Sequence, residues 1–342
     1  MHRLAVRGDP SAAKRKFDTR CIFYHRYIDG HTKQIRNTMT KPITSFGYEM
    51  DTSPDACGEL RPSNDIFDDT EALRERMQTD GYVFLRDCLN VDDVMTARRE
   101  ILTRIQAAGG LAAGHPLMDG ISPPDVNREP FDHKLARHND PLSELLYSGP
   151  LLSYFDRFLG RPAGHFDYTW FRAVPGGAKG VFPHCDTVYM SRGSKNLFSA
   201  WVPIGDVPMT LGGLIILEGS HLRPETLGDY YEKDVDTYCL DSTEAAQVDS
   251  GNLEGLWDGR LSENPVELRR ELGGRWLTAD FRAGDLLTFT MRTVHASLDN
   301  HSSRWRLSSD SRYQPADEPH DGRWMGEYPP AHGAASKIGM VC

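Results

Sequence analysis

No stretch of this 342-residue sequence approaches the roughly 20 consecutive apolar residues that a membrane-spanning helix needs. Its six cysteines (Cys21, Cys57, Cys88, Cys185, Cys239 and Cys342) include no CxxC pair, and they read as free thiols in a reducing cytoplasm. Net positive charge is also missing. At −10 overall, the chain is poorly suited to nucleic acid as a main partner. No internal repeat, no phosphate-cradling loop and no Ser-Lys-Leu ending is present, so the cytoplasm is the expected compartment. What remains, 39% hydrophobic and 26% charged residues, is the composition of an ordinary globular protein large enough to bury a sizeable core. A small-molecule partner and a monomer or homodimer are expected.

The basic residues are unevenly placed. Residues 1–41 hold ten Lys or Arg against three Asp, while the rest of the chain is strongly acidic. Transit peptides share this bias, but they are also serine-rich and amphipathic, and this segment is neither. Met39 is therefore expected to be the natural start, with residues 1–38 an extension of the reading frame. Residues 46–67, rich in Pro, Asp, Ser and Gly, read as a linker or surface arm. Together residues 1–67 form a poorly ordered extension ahead of one domain over 68–342.

That domain begins with helical signals. Asp68-Asp69 can cap a helix over 71–77, and Gly81-Tyr82-Val83-Phe84-Leu85 reads as a short strand. Asn90 or Asp92 caps a second helix with a stripe of Val94, Ala97 or Arg98, Ile101 and Ile105, stopped at Gly109-Gly110. A third helical stretch spans 143–159 with a break at Gly149-Pro150. From residue 165 the period turns to alternation, with candidate strands at 166–174, 184–190, 197–204, 213–218, 276–281, 285–294 and 304–313. Many short strands after a helical part of 68–160 predict a mainly β fold with flanking helices. Its core, over 161–315, is a double-stranded β-helix, a cupin-like jelly roll. Residues 222–274 interrupt the strand rhythm as an insertion over the barrel mouth, with one amphipathic helix near 265–272, and 316–342 form a tail.

Within the core, His184-Cys185-Asp186 places two ligating side chains at i and i+2, which a strand presents on one face. His295, from a distant strand, can complete a two-His, one-carboxylate face on a metal, the usual ligand set of non-haem Fe(II) oxygenases. HxD by itself is weak evidence: His138-Asn139-Asp140 and His165-Phe166-Asp167 match it too. The first sits in a charged stretch and reads as surface. The second opens an alternating strand and reads as structural or pocket-lining. On 304–313, Arg304, Arg306 and Arg312 share a face with Ser308 and Asp310. A barrel-facing arginine needs a bound anion to justify its burial, and a bidentate grip on a dicarboxylate supplies one.

The segments "DGYVFLRDCL", HxD, "WVPIGD", "GGLIILEGSH", "AGDLLTF", "HASLDN" and "RLS" occur in order, and over residues 68–315 the chain resembles the phytanoyl-CoA dioxygenase family of Fe(II)/2-oxoglutarate oxygenases. The resemblance implies that His184, Asp186 and His295 bind Fe(II). Arg306, eleven positions after His295, would hold the far carboxylate of 2-oxoglutarate, Ser297 would touch that cosubstrate, and Trp201 would pack against it. Lys134 and Arg172 could add charge, though both alignments are loose. His221 would hold a turn, and Cys185 faces away with no chemical role. O₂ would be the oxidant, with ascorbate as a stimulant, succinate and CO₂ as co-products, and a small organic molecule as the hydroxylated or otherwise oxidised substrate. Because Asp186 is present, halogenation is not expected. The missing phosphate loop points away from CoA thioesters. Two other readings stay open: a jelly-roll protein that binds a metal or ligand without turnover, and a cupin-like metalloenzyme that does not use 2-oxoglutarate.

Overall fold

The computed structural model describes residues 42–126 and 133–342, so the basic segment and the start at Met39 lie outside the described residues. The strands run in chain order as β1 (Thr44–Ser45), β2 (Tyr48–Glu49), β3 (Cys57–Glu59), β4 (Tyr82–Leu85), β5 (Ala163–His165), β6 (Trp170–Val174) and β7 (Phe198–Pro203). They continue as β8 (Leu214–Leu217), β9 (Thr237–Cys239), β10 (Trp276–Thr278), β11 (Leu286–Thr290), β12 (His295–Ser297), β13 (Arg306–Pro315) and β14 (Ile338–Met340). The helices are α1 (Thr70–Asp80), α2 (Val91–Ala107), α3 (Asp140–Tyr147), α4 (Gly149–Leu159), α5 (Pro224–Tyr231), α6 (Thr243–Asp249) and α7 (Pro265–Leu272).

Local chemistry sets the helix ends. The Asp69 side chain accepts from the Ala72 N–H at 3.0 Å to start α1, and Gly81, at a φ of 79°, ends it. Asn90 caps α2 in the same way. The helical stretch expected over 143–159 is divided in two at Gly149, as its glycine-proline pair suggests.

Two sheets face each other. The larger runs β4-β11-β7-β13-β5, with β6 also on β13; the smaller runs β12-β8-β10-β3. Alternation divides their side chains among three layers. Tyr82, Phe84, Trp201, Leu287 and Phe289 of the larger sheet meet Leu214, Ile216 and Leu277 of the smaller one. Val83, Leu85, Ala200, Val202, Leu307 and Tyr313 point the other way, against α1 to α4. Ile215, Leu217, Trp276 and Ala296 pack outward against α5 and α7. The fold is a double-stranded β-helix between two helical layers, and its two sheets do not close into a continuous barrel.

Three expectations need correction. Residues 42–67 are not a loose arm: β1 pairs with β2, and β3 joins the smaller sheet in parallel with β10, so the folded unit begins near residue 41. Short strands in a Pro- and Gly-rich stretch leave too little periodicity to read. The insertion over 222–274 does not simply cover the mouth, because α5 and α7 coat the outer face of the smaller sheet. Nor is 316–342 a plain tail. Buried Asp236 pairs with Arg323 at 2.5 Å, His332 at 2.9 Å and Lys337 at 2.9 Å, and β14 pairs in parallel with β9. Trp324 lies 4.6 Å from Trp170 in an apolar cluster with Phe166, Met190 and Leu197.

The β9–β14 register also corrects the reading of six free thiols. Met340 lies opposite Cys239, and Cys342, two residues on, forms a disulfide with it. A separation of 103 residues carries no sequence signature. Cys57, Cys88 and Cys185 are free, and Cys21 is outside the described residues. Cys342→Ser should lower the unfolding free energy by about 2–4 kcal/mol, since the bond closes a long loop in the unfolded chain. Urea unfolding followed by tryptophan fluorescence would show this, and an unchanged midpoint would contradict the pairing.

Candidate metal centre

Main-chain pairing brings the two distant histidines together. The His184 N–H donates to the His295 carbonyl at 3.0 Å, and the His295 N–H donates to the His184 carbonyl at 2.9 Å. Residues that exchange both bonds across an antiparallel pair hold their side chains abreast on one face. The two ring centroids are accordingly 4.2 Å apart. Gly180 allows the chain leading to His184 to lie this close to β12, because a Cβ there would fall 2.1 Å from the Ser297 carbonyl oxygen.

Beyond His184 the strand expected over 184–190 does not form. Asp186–Val188 is a 3-10 turn, and this turn aims the carboxylate at both rings. Asp186 Oδ1 lies 3.9 Å from His184 Nε2 and 3.8 Å from His295 Nε2. One ligand atom from each residue falls within 4.8 Å of the others, and all three side chains are buried. Among the described residues no other group of His, Cys, Asp and Glu has this geometry.

The hydrogen bonds around the centre set its protonation. His184 Nδ1 faces the Phe182 carbonyl at 2.8 Å, and His295 Nδ1 faces the Thr293 carbonyl at 3.0 Å. A carbonyl only accepts, so each Nδ1 carries the proton and each Nε2 presents its lone pair. Burial, reinforced by the neighbouring imidazole, pushes His184 down to about 3. Burial also lowers His295, although Asp186 pulls the other way. Burial opposes the charge on Asp186, but Arg312, the two imidazoles and the Ser199 hydroxyl together hold its carboxyl well below the usual range. Two neutral imidazoles beside one carboxylate suit a divalent ion.

Of the three arginines expected on one face of 304–313, Arg304 lies ahead of β13, is exposed and donates to the Asp119 carbonyl. Arg312 contacts Asp186 Oδ2 at 3.0 Å. Arg306 is 1% exposed; one of its nitrogens donates to Ser308 Oγ at 2.6 Å, while Nε and the other terminal nitrogen have no partner. Asp310 is engaged instead by Arg172, at 2.8 Å. Burial, with Arg172 adding repulsion, lowers Arg306 to about 10, which leaves it cationic at neutral pH. Unpartnered buried N–H groups cost free energy. An anion with paired oxygens would satisfy both, so the residues present fit a dicarboxylate cosubstrate as well as a metal.

Ser297 Oγ accepts from the Val181 N–H at 2.8 Å and keeps its own hydrogen to donate. Trp201 is buried between the sheets, 4.6 Å from Phe281. Lys134 is exposed. His138 is exposed and precedes Asn139, the cap of α3. His165 stacks on Tyr147 at 4.2 Å and lines a separate cavity of about 640 Å³. His221 binds the Gln78 carbonyl through Nε2, which fits a turn-holding role. The buried Cys185 thiol donates to the Arg292 carbonyl, away from the centre. A larger cavity of about 880 Å³ adjoins the Asp186 turn, with Thr187, Met190, Phe198 and Met291 in its wall, but the three ligating side chains do not line it.

The model of the phytanoyl-CoA dioxygenase (PhyH) family matches residues 77–308. The chain belongs to this family. It is accordingly an enzyme of the Fe(II)- and 2-oxoglutarate-dependent oxygenase type, with a His-Asp-His group able to hold the iron. The 1-deoxypentalenic acid 11-beta-hydroxylase of Streptomyces arenae is 25% identical over 282 residues, covering 80% of this chain and 90% of the relative. Its counterpart in Streptomyces exfoliatus is 25% identical over 288 residues, with the same coverage. Two solved structures share the fold. The non-haem α-ketoglutarate-dependent carbocyclase SnoK from nogalamycin biosynthesis is 17% identical, with a TM-score of 0.51 over 76% of this chain and 90% of its own. EctD from S. alaskensis is 16% identical, with a TM-score of 0.51 over 88% of this chain and 99% of its own. Among the described residues no helix is long and apolar enough to cross a membrane.

The buried imidazoles predict how the metal-free protein responds to acid. Both folded values lie below the unfolded 6.5, and that of His184 falls to about 3, so between pH 6.5 and about 3 the unfolded chain binds at His184 a proton that the folded one does not. Stability should therefore fall as pH drops through that window, by up to about 1.4 kcal/mol per pH unit for each imidazole. Below pH 4 the depressed Asp186 adds to the loss. Urea unfolding from pH 7 to pH 4 on wild type and His184→Gln would test this, with a shallower slope expected for the variant. Identical slopes would contradict the assignment of a buried neutral ring.

Proposed function

We propose that His184, Asp186 and His295 bind Fe(II), and that Arg306 grips the far carboxylate of 2-oxoglutarate for oxidation of a C–H bond, most simply hydroxylation, in a small organic molecule. The observation that carries this reading is the pair of unpartnered buried N–H groups on Arg306, on the strand face that also contacts the Asp186 carboxylate. Bound there, iron and 2-oxoglutarate supply the activation of O₂, with succinate and CO₂ as co-products. The chain's own residues do the placing. Two main-chain carbonyls orient the imidazoles, Ser199 and Arg312 fix the carboxylate, and Ser297 offers a hydroxyl hydrogen to the cosubstrate while Trp201 walls its side. Phe182 and Tyr189 each pack edge-on against the His184 ring at 5.6 Å and help fix its position.

The substrate is a free small molecule and not a CoA thioester, in keeping with the 1-deoxypentalenic acid 11-beta-hydroxylases among the relatives. Purified protein given Fe(II), ascorbate and 2-oxoglutarate should release succinate, and a matching substrate should accelerate it. Arg306→Ala should raise the KM for 2-oxoglutarate about ten- to hundredfold, the worth of a charge-assisted hydrogen-bonded grip. Succinate release that the substitution leaves unchanged would overturn the role given to Arg306. A metal-bearing protein that releases none with any substrate would favour the binding-protein reading.

A further inference from the structure

Asp186 has two oxygens and they are treated differently. Oδ1 lies 3.9 Å and 3.8 Å from the two Nε2 atoms and forms with them the three-atom group able to hold a metal ion. Oδ2 is turned away and doubly engaged: the Ser199 hydroxyl donates to it, and an Arg312 terminal nitrogen forms an ion pair with it at 3.0 Å. Both partners are rigidly supplied. Ser199 and Arg312 are direct register partners on β7 and β13, so one rung of the sheet presents both groups to one oxygen. Both are fully or almost fully buried. Arg312 is held from its other sides as well, with its guanidinium 4.8 Å from the centre of the Trp170 ring and its Nε against the Met190 sulfur. It has no other carboxylate partner among the described residues.

We infer that Arg312 and Ser199 are positioning residues that make Asp186 a one-oxygen ligand, a role not implied by the ligand motif itself. The inference rests on the ligand set proposed above. A free carboxylate beside a divalent ion can bind through either oxygen or through both. Occupying Oδ2 with a hydroxyl donor and a guanidinium ion pair fixes which oxygen faces the metal and leaves room around the ion for the cosubstrate. The adjacent guanidinium also withdraws part of the carboxylate's charge, which favours binding of an anionic cosubstrate at the same centre. Groups that orient a ligating carboxylate in this way typically contribute ten- to hundredfold to metal affinity.

The test uses Co(II) alone as the probe, with the dissociation constant from calorimetry, the visible absorption spectrum of bound Co(II), and the melting temperature of the metal-free protein. Wild type should bind one Co(II), and Asp186→Asn should abolish it. If wild type binds none, the ligand set itself fails. Given wild-type binding, Arg312→Met should weaken Co(II) at least about tenfold and change its spectrum, because the carboxylate is released to bind through both oxygens. Arg312→Lys, which keeps the charge and a donor, should stay within about threefold of wild type. Ser199→Ala should fall between the two, and remains informative if Arg312→Met does not fold. Wild-type affinity and spectrum in Arg312→Met or, where that variant does not fold, in Ser199→Ala would overturn the inference. So would equal losses in Arg312→Met and Arg312→Lys that track their melting temperatures, since that pattern belongs to packing.

Discussion

Two main-chain hydrogen bonds, between His184 and His295, are the constraint on which the site depends. They join residues 111 positions apart in a geometry that leaves little freedom to the side chains. Once the two imidazoles stand abreast, a short turn suffices to bring in Asp186, and the facing strands β7 and β13 need only present polar residues at alternate positions. The smaller sheet supplies His295 and the larger supplies Ser199 and Arg312. The packing between the sheets therefore sets the metal geometry, and the apolar residues from Tyr82 to Phe289 hold that spacing.

The electrostatics of the interior run against those of the whole chain. Overall the protein is acidic, yet the buried face of β13 and its neighbours carry Arg172, Arg306 and Arg312 against Asp186 and Asp310. Before any metal is counted, that cluster has a net positive charge, which suits a doubly anionic cosubstrate. Two of the arginines have carboxylate partners. Arg306 does not, and a buried guanidinium with open donors destabilises the unliganded fold. Such a residue is explained by what it binds and not by what it contributes to stability.

Much of this was readable from the sequence. The period change near residue 165, the caps at Asp69 and Asn90 and the break at Gly149 all reflect local chemistry, which a single sequence records. The alternation of 304–313 correctly placed Arg306 and Arg312 on one face, and the family resemblance, through the spacing from His295, favoured Arg306. What Arg312 does was not readable, because partner choice depends on the rung opposite, where Ser199 lies across from it. The 3-10 turn at Asp186 escaped for a related reason. His184 is extended because His295 pairs with it, whereas past Cys185 the chain turns, and the Thr187 N–H reaches the Met291 carbonyl at 3.0 Å from within the 3-10 segment. The pairing of β3 with β10 and the Cys239–Cys342 bond are long-range events that leave no local trace.

The claim beneath the whole account is that one divalent ion is shared by His184, Asp186 and His295. Diffraction from crystals loaded with Mn(II), recorded at the manganese absorption edge, tests it directly. The account requires a single anomalous peak about 2.1 Å from both Nε2 atoms and from Asp186 Oδ1, with Oδ2 still bound to Ser199 and Arg312. A peak at some other cluster, or none within bonding distance of both imidazoles, would contradict it.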